Sequence, residues 1–165
     1  MNSNYVEKLY RLMYYVEKEF SILNIENFIY SDIELEKESP NIYYLLVSLD
    51  FKKNDIKKQI KEILLKNFSY LEYKKWKKRE LLGEICNESV DLIYALRELN
   101  MLSLELNDKE LIIFIGYLSE LDDVPLKKDY YKWNSEFLDS KLKKIEVYKN
   151  EIEESARQIL FKNNN

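Results

Sequence analysis

Residues 107–125 read NDKELIIFIGYLSELDDVP, and whether they form helix or strand decides the fold class. Leu111, Ile112, Ile113, Phe114, Ile115, Tyr117, Leu118 and Leu121 leave almost no polar face between the charged ends. Five consecutive apolar residues also suit a buried strand, but the stretch is long and its ends carry helix signals. Asn107 stands where an N-cap belongs, with Glu110 three residues on in capping-box register. Pro125 closes the stretch after the acidic run Glu120, Asp122, Asp123. The spacing predicts a helix over 108–121. A helix apolar nearly all round belongs at the centre of a bundle, with partners on several sides. It is too short to cross a membrane, which takes about 20 apolar residues.

Composition extends that reading to the whole chain. Gly83, Gly116, Pro40 and Pro125 are its only glycines and prolines. A many-stranded fold needs turn signals every 8–12 residues or so, and they are missing. The expectation is an all-α fold: one domain over 1–165, a bundle of about six helices around the central one. Charged residues make up 34% of the chain, which excludes a bundle of membrane helices. MNSNYVEKLY at the start carries acid early and no long apolar run, so no signal peptide is read and a cytoplasmic protein is expected.

The flanking segments are read by the same rules. Val6, Leu9, Met13, Val16, Phe20 and Leu23 place one helix over 3–23. The run IYSDIELEKES alternates apolar and acidic residues, leaving 24–39 open between helix and extended chain. Ser39-Pro40 opens a helix to about Asp50. Asn54 or Asp55 opens another, with Ile56, Ile60, Ile63 and Leu64 on its face. Ser69 and Glu72 repeat the capping-box spacing. Beyond them the apolar stripe of Ile85, Val90, Ile93 and Leu96 projects back onto Lys75, Lys78 and Arg79, so a kink or break is expected near 77–79. MLSLELN at 101–107 reads as a connection and LKKDYYKWN at 126–134 as a polar-aromatic loop. Asn134 or Ser135 caps a last long helix bearing Leu138, Leu142, Ile145, Tyr148, Ile152, Ala156 and Ile159, with a fraying FKNNN tail.

Missing residue types close off much chemistry. There is no histidine, so no imidazole base or ligand exists and no serine or cysteine has a histidine partner. Cys86 is the only cysteine, which excludes an intramolecular disulfide and a multi-cysteine zinc site, and its place in an apolar pattern reads as a small buried residue. Two distant glycines cannot write a phosphate-binding loop. No cofactor is expected.

One motif points to catalysis. ESVDLIYALREL, at 88–99, resembles the second metal-binding helix of the all-α nucleotide pyrophosphohydrolases, the MazG-like and dimeric dUTPase families. The resemblance covers twelve residues and implies that Glu88 and Asp91 help to hold Mg²⁺. Those families carry a further Glu-x-x-Glu pair on an earlier helix, since Mg²⁺ takes a cluster of oxygen ligands. No such pair lies upstream here, where Glu80 and Glu84 are four apart. The chain holds five acidic pairs at a spacing of three, the number that random placement of its 30 acidic residues gives.

Charge marks two more candidate surfaces. The net charge is −4, yet residues 52–79 hold eleven Lys/Arg against three Asp/Glu. That stretch ends in Lys74, Lys75, Trp76, Lys77, Lys78 and Arg79, and basic residues around an aromatic ring are the pattern that binds phosphate and stacks on bases. The opposite pattern is Glu120, Asp122, Asp123 and Asp129 beside Tyr130, Tyr131 and Trp133. Aromatic anchors ringed by carboxylates fit a basic protein partner. Fourteen tyrosines point the same way, since Tyr offers rigid contact area at low entropy cost. The expectation is a non-enzymatic immunity or inhibitor protein that blocks a basic toxin or effector through this surface. The alternatives are a Mg²⁺-dependent nucleotide hydrolase using Glu88 and Asp91, and a nucleic-acid-associated regulator using 73–79.

Overall fold

A computed structural model describes residues 3–18 and 20–162, and every regular element among them is helical. The all-α reading holds. By its contacts the chain divides into two compact units, residues 1–73 and 74–165.

In the first unit, α1 (Ser3–Glu17) buries Leu9, Met13 and Val16 as the stripe requires. It ends earlier than expected. Ser21 accepts a hydrogen bond from the Asn24 N–H at 3.1 Å and starts α2 (Ile22–Ser31), so Phe20 and Leu23 fall off the stripe and are exposed. The ambiguous run that follows is helical too, with Asp32 as the joint. Its N–H donates to the Ile29 carbonyl, while its carboxylate accepts from the Leu35 N–H and caps α3 (Ile33–Glu38). Lys8 of α1 reaches the same carboxylate at 2.8 Å. The apolar-acidic alternation spans the end of α2, the Asp32 joint and the short α3, which buries Leu35 and leaves Ile33 outside. Pro40 stands at the first position of α4 (Pro40–Val47), where its missing N–H costs nothing. Then α5 (Ile56–Leu65) buries Ile56, Ile60 and Leu64. Contacts run from α1 to α2, α3 and α5, and from α4 to α2, α3 and α5.

The next helix, α6 (Tyr70–Cys86), starts at the expected cap, with the Glu72 N–H 3.4 Å from Ser69 Oγ. The break expected near 77–79 is absent. Lys77 and Lys78 are themselves buried, because acids of the second unit neutralise them: Lys77 meets Glu98 at 2.7 Å, and Lys78 meets Asp108 at 2.6 Å and Glu110 at 3.4 Å. Lys74 joins the row, 3.2 Å from Glu105. A lysine stem packs like an alkyl chain while its head stays paired, so the apolar stripe continues in disguised form.

The chain breaks instead at 87–91. The Ser89 N–H bonds to the Glu84 carbonyl and the Glu88 N–H to that of Ile85, a Schellman closure with Glu88 left-handed at φ 53°. Asp91 then caps α7 (Leu92–Leu106), accepting from the Ile93 and Tyr94 N–H groups. Residues 101–106, expected as a connection, complete α7 and bury Leu102 and Ser103. Asn107 is the left-handed stop of α7 at φ 50°, not the cap of the following helix. Asp108 has that role, accepting from the Glu110 N–H at 3.0 Å.

The stretch that decided the class is a 3₁₀ turn, Lys109–Leu111, leading into α8 (Ile112–Glu120). Leu111, Phe114 and Leu121 are fully buried, but Ile112 and Ile113 are 55% and 47% exposed. The helix is covered on one face, by α7 and α9, rather than on several sides. Its apolar excess therefore sits partly in solvent. The last helix, α9 (Ser135–Lys162), follows the expected stripe, from half-buried Leu138 and Leu142 to buried Ile152, Ala156 and Ile159. Asn134 caps it, its side-chain oxygen accepting from the Glu136 and Phe137 N–H groups. The end of the tail, 163–165, lies outside the described residues.

Candidate functional site

Two features of the second unit carry chemistry, and the segment 126–133 belongs to both. Instead of an irregular loop, this segment makes a 3₁₀ turn over Lys127–Lys132. Its start is fixed by Asp91. One carboxylate oxygen caps α7 while the other accepts the Lys127 N–H at 2.6 Å. Its end is fixed by the Trp133 N–H to Tyr130 carbonyl bond and by the Asn134 cap.

The turn separates its aromatic rings. Tyr130 is half-buried, and burial, with Asp91 nearby, pushes its hydroxyl pKa up. Tyr131 is 81% exposed, with the Lys132 ammonium 5.4 Å from its ring centre. Trp133, 38% exposed, lies parallel to Phe137 of α9, with centroids 5.4 Å apart and an interplanar angle of 2°. Lys141 covers the Phe137 ring at 4.7 Å.

The acidic residues around the rings divide into two sets. Asp123 binds the ammonium groups of Lys141 and Lys144, and these hydrogen bonds, Lys141 first, hold its carboxyl below the usual range. Asp129 binds Lys132 at 2.6 Å with the same effect. Glu120, Asp122 and Glu136 are exposed. The charge presented beside the rings therefore comes from Glu120, Asp122 and Glu136 more than from Asp123 and Asp129.

Behind the turn lies a cavity of about 290 Å³. Its lining includes the aliphatic side chains of Ile85, Val90 and Leu92, and of Leu142 and Ile145 of α9. The lining also carries the carboxylates Glu88, Asp91, Glu146 and Glu153, the side chains of Lys127 and Lys149, and Tyr130. Lys149 meets Glu88 at 2.5 Å; this hydrogen bond lowers the Glu88 pKa and raises that of Lys149, which also feels Glu153 and Glu146. Glu153 is buried and holds Arg157 at 3.3 Å. Cys86, expected to be buried, is only half-buried; its Sγ lies 3.9 Å from the Glu153 carbonyl, and desolvation raises its thiol pKa.

This geometry bears on the other candidate residues. Glu88 and Asp91 are not a pair on one helix face; both lie between α6 and α7. Asp91 spends its oxygens on three backbone N–H groups and Glu88 is committed to Lys149. No group of three or more His, Cys, Asp or Glu among the described residues is placed to hold a metal ion. The basic set is divided as well. Trp76 is 5% exposed, so its ring is not presented to a base, and Lys74, Lys77 and Lys78 face carboxylates of the same unit. Lys75 and Arg79 are the exposed members.

Sequence reasoning located the aromatic segment, as a loop, and missed the cavity. The lining comes from three separated segments whose apolar residues are periodic for other reasons, and no local pattern joins them. The one available signal was glutamate at 88 just past a helix end, where glycine or asparagine is usual. No family model matches this chain, and no curated protein and no solved structure is significantly similar to it. No helix among the described residues is long and apolar enough to cross a membrane.

Proposed function

We propose that this chain is a non-catalytic protein-binding protein of the immunity or inhibitor type, which covers a basic surface of a toxin or effector with the face built from Tyr131, Trp133 and Phe137. The observation that carries the reading is the parallel Trp133–Phe137 stack, half in solvent, beside the almost fully exposed Tyr131. Large apolar rings left outside are informative when they cluster on a fixed segment, since solitary ones are common on any surface. Interface hot spots are enriched in Trp and Tyr that contribute area without needing to be ordered first. Here the segment is already held by Asp91 and by the Asn134 cap. Exposed Glu120, Asp122 and Glu136 supply the charge that steers a basic partner.

The test starts with the products of the genes that flank this one. Each is purified and titrated with the chain by calorimetry, in the parent form and with Tyr131→Ala plus Trp133→Ala. One flanking product should bind the parent, with the double variant weakened by more than about 2 kcal/mol at an unchanged melting temperature. A complex that forms equally well with the double variant, or turnover of Mg²⁺-nucleotide by the chain alone, would sink the reading.

A further inference from the structure

The cavity behind the aromatic turn has no part in the face just described, and its chemistry is different. It is small. At about 290 Å³ it lies at the lower edge of the roughly 300–1,000 Å³ range of ligand clefts, enough for one long side chain rather than a nucleotide. Five of its lining residues, Ile85, Val90, Leu92, Leu142 and Ile145, are aliphatic, which suits an occupant with an alkyl stem. Its lining holds four carboxylates against two ammonium groups; Glu88 is paired with Lys149, Glu153 with Arg157, and Asp91 with backbone N–H groups, so Asp91 and Glu146 keep their negative charge against Lys127. A phosphate or carboxylate would meet net repulsion there, while a cation would be drawn in. Glu146 belongs to this lining and is exposed, with no ion pair among the described residues. Tyr130 adds a ring wall, and an aromatic face beside a carboxylate favours a cationic head over a neutral one.

From these features we infer that the cavity receives an arginine or lysine side chain of the bound protein. The stem lies on Leu142 and Ile145, and the head lies between Glu146 and the Tyr130 ring. The inference rests on the protein-binding reading for its source of the side chain, but the cavity can be probed without the partner. Aliphatic contact alone would accept any long side chain. The carboxylate excess makes the site selective for cations.

The experiment is a titration of the whole chain, followed by nuclear magnetic resonance, with four capped amino acids: Nα-acetyl, N-methylamide arginine, lysine, norleucine and glutamate. Arginine and lysine should give saturable shifts at Tyr130, Leu142 and Ile145, and norleucine and glutamate should not. Glu146→Lys, on an exposed side chain, should weaken the arginine effect about ten-fold through two units of reversed charge, without moving the melting temperature. Equal shifts from norleucine and arginine, no saturation by arginine, or an unchanged response in Glu146→Lys would overturn the proposal. Tyr131→Ala plus Trp133→Ala should leave the arginine titration as it was. If the titration fails while that double variant still loses its partner, the cavity proposal falls alone. If the titration succeeds while the double variant keeps its partner, the aromatic face is the part that falls.

Discussion

Lys78 Nζ lies 2.6 Å from an Asp108 carboxylate oxygen, with only 10% and 20% of the two side chains exposed. The ion pair joins the middle of α6 to the turn that opens α8, and Asp108 also caps that turn through the Glu110 N–H. The two roles can be separated. Asn caps as well as Asp, so Asp108→Asn removes the charge alone and should cost about 1.5–3 kcal/mol, the range for a hydrogen bond to a charged group. Asp108→Ala removes the cap as well and should cost about 1 kcal/mol more. Urea midpoints at constant slope would read both. Losses below about 0.5 kcal/mol in both variants would mean that Glu110, 3.4 Å from Lys78, or water satisfies the ammonium without Asp108.

The two tryptophans should separate cleanly in fluorescence. Trp76 is buried and Trp133 is partly in solvent against Phe137. Trp133→Phe should leave blue-shifted emission that iodide barely quenches. Trp76→Phe should leave a red-shifted, quenchable signal. A quenchable Trp76 would return the basic segment to candidacy as a base-stacking surface.

High pH should unfold the first unit through Tyr73. Its hydroxyl donates to Glu17 at 2.7 Å, and burial first, then the Glu17 charge, pushes its pKa far above the ordinary tyrosine value. A folded pKa raised above the unfolded one contributes stability that is fully present below about pH 10 and is lost as pH rises beyond it. Base titration should therefore show Tyr73 ionising only with loss of the helical signal. Tyr73→Phe should remove that coupling. Early, reversible ionisation of all fourteen tyrosines would contradict it.

Glu88 gives a rank order rather than a single number. Its left-handed φ of 53° is strained for any side chain with a β-carbon other than asparagine or aspartate. Glu88→Gly and Glu88→Asn should melt above Glu88→Ala, which keeps the strain and loses the Lys149 pair. If alanine is the most stable of the three, the Schellman closure at 87–89 is not formed as described.

Much of the fold was legible wherever a helix is amphipathic in the ordinary way. The stripe from Leu138 to Ile159 and the Ser39-Pro40 start needed only periodicity and cap chemistry. What misled was polarity inside and apolarity outside. Lys77 and Lys78 read as a surface because their partners Glu98 and Asp108 lie 21 and 30 residues away, a distance no helical period spans. Ile112 and Ile113 read as core because composition cannot say how many neighbours a helix will have. The helix ends at Ser21 and Asn107 depended on single residues whose two possible roles, starting one helix or stopping another, only the backbone conformation separates. Of the aromatic turn, sequence located the rings but not the burial of Tyr130, nor the pairing of Asp123 with Lys141 and Lys144.

The Asp91 carboxylate, shared between the first turn of α7 and the Lys127 N–H, has a consequence for local unfolding. A surface segment of this length would ordinarily open by itself, and its amides would exchange with solvent almost freely. Here the Lys127 amide can open only by releasing the carboxylate that also holds the start of α7. Its hydrogen exchange should therefore be slow and should track that of Ile93 and Tyr94. Asp91→Ala should free all three together. The ring-bearing turn would thus belong to the same cooperative opening unit as the helix behind it.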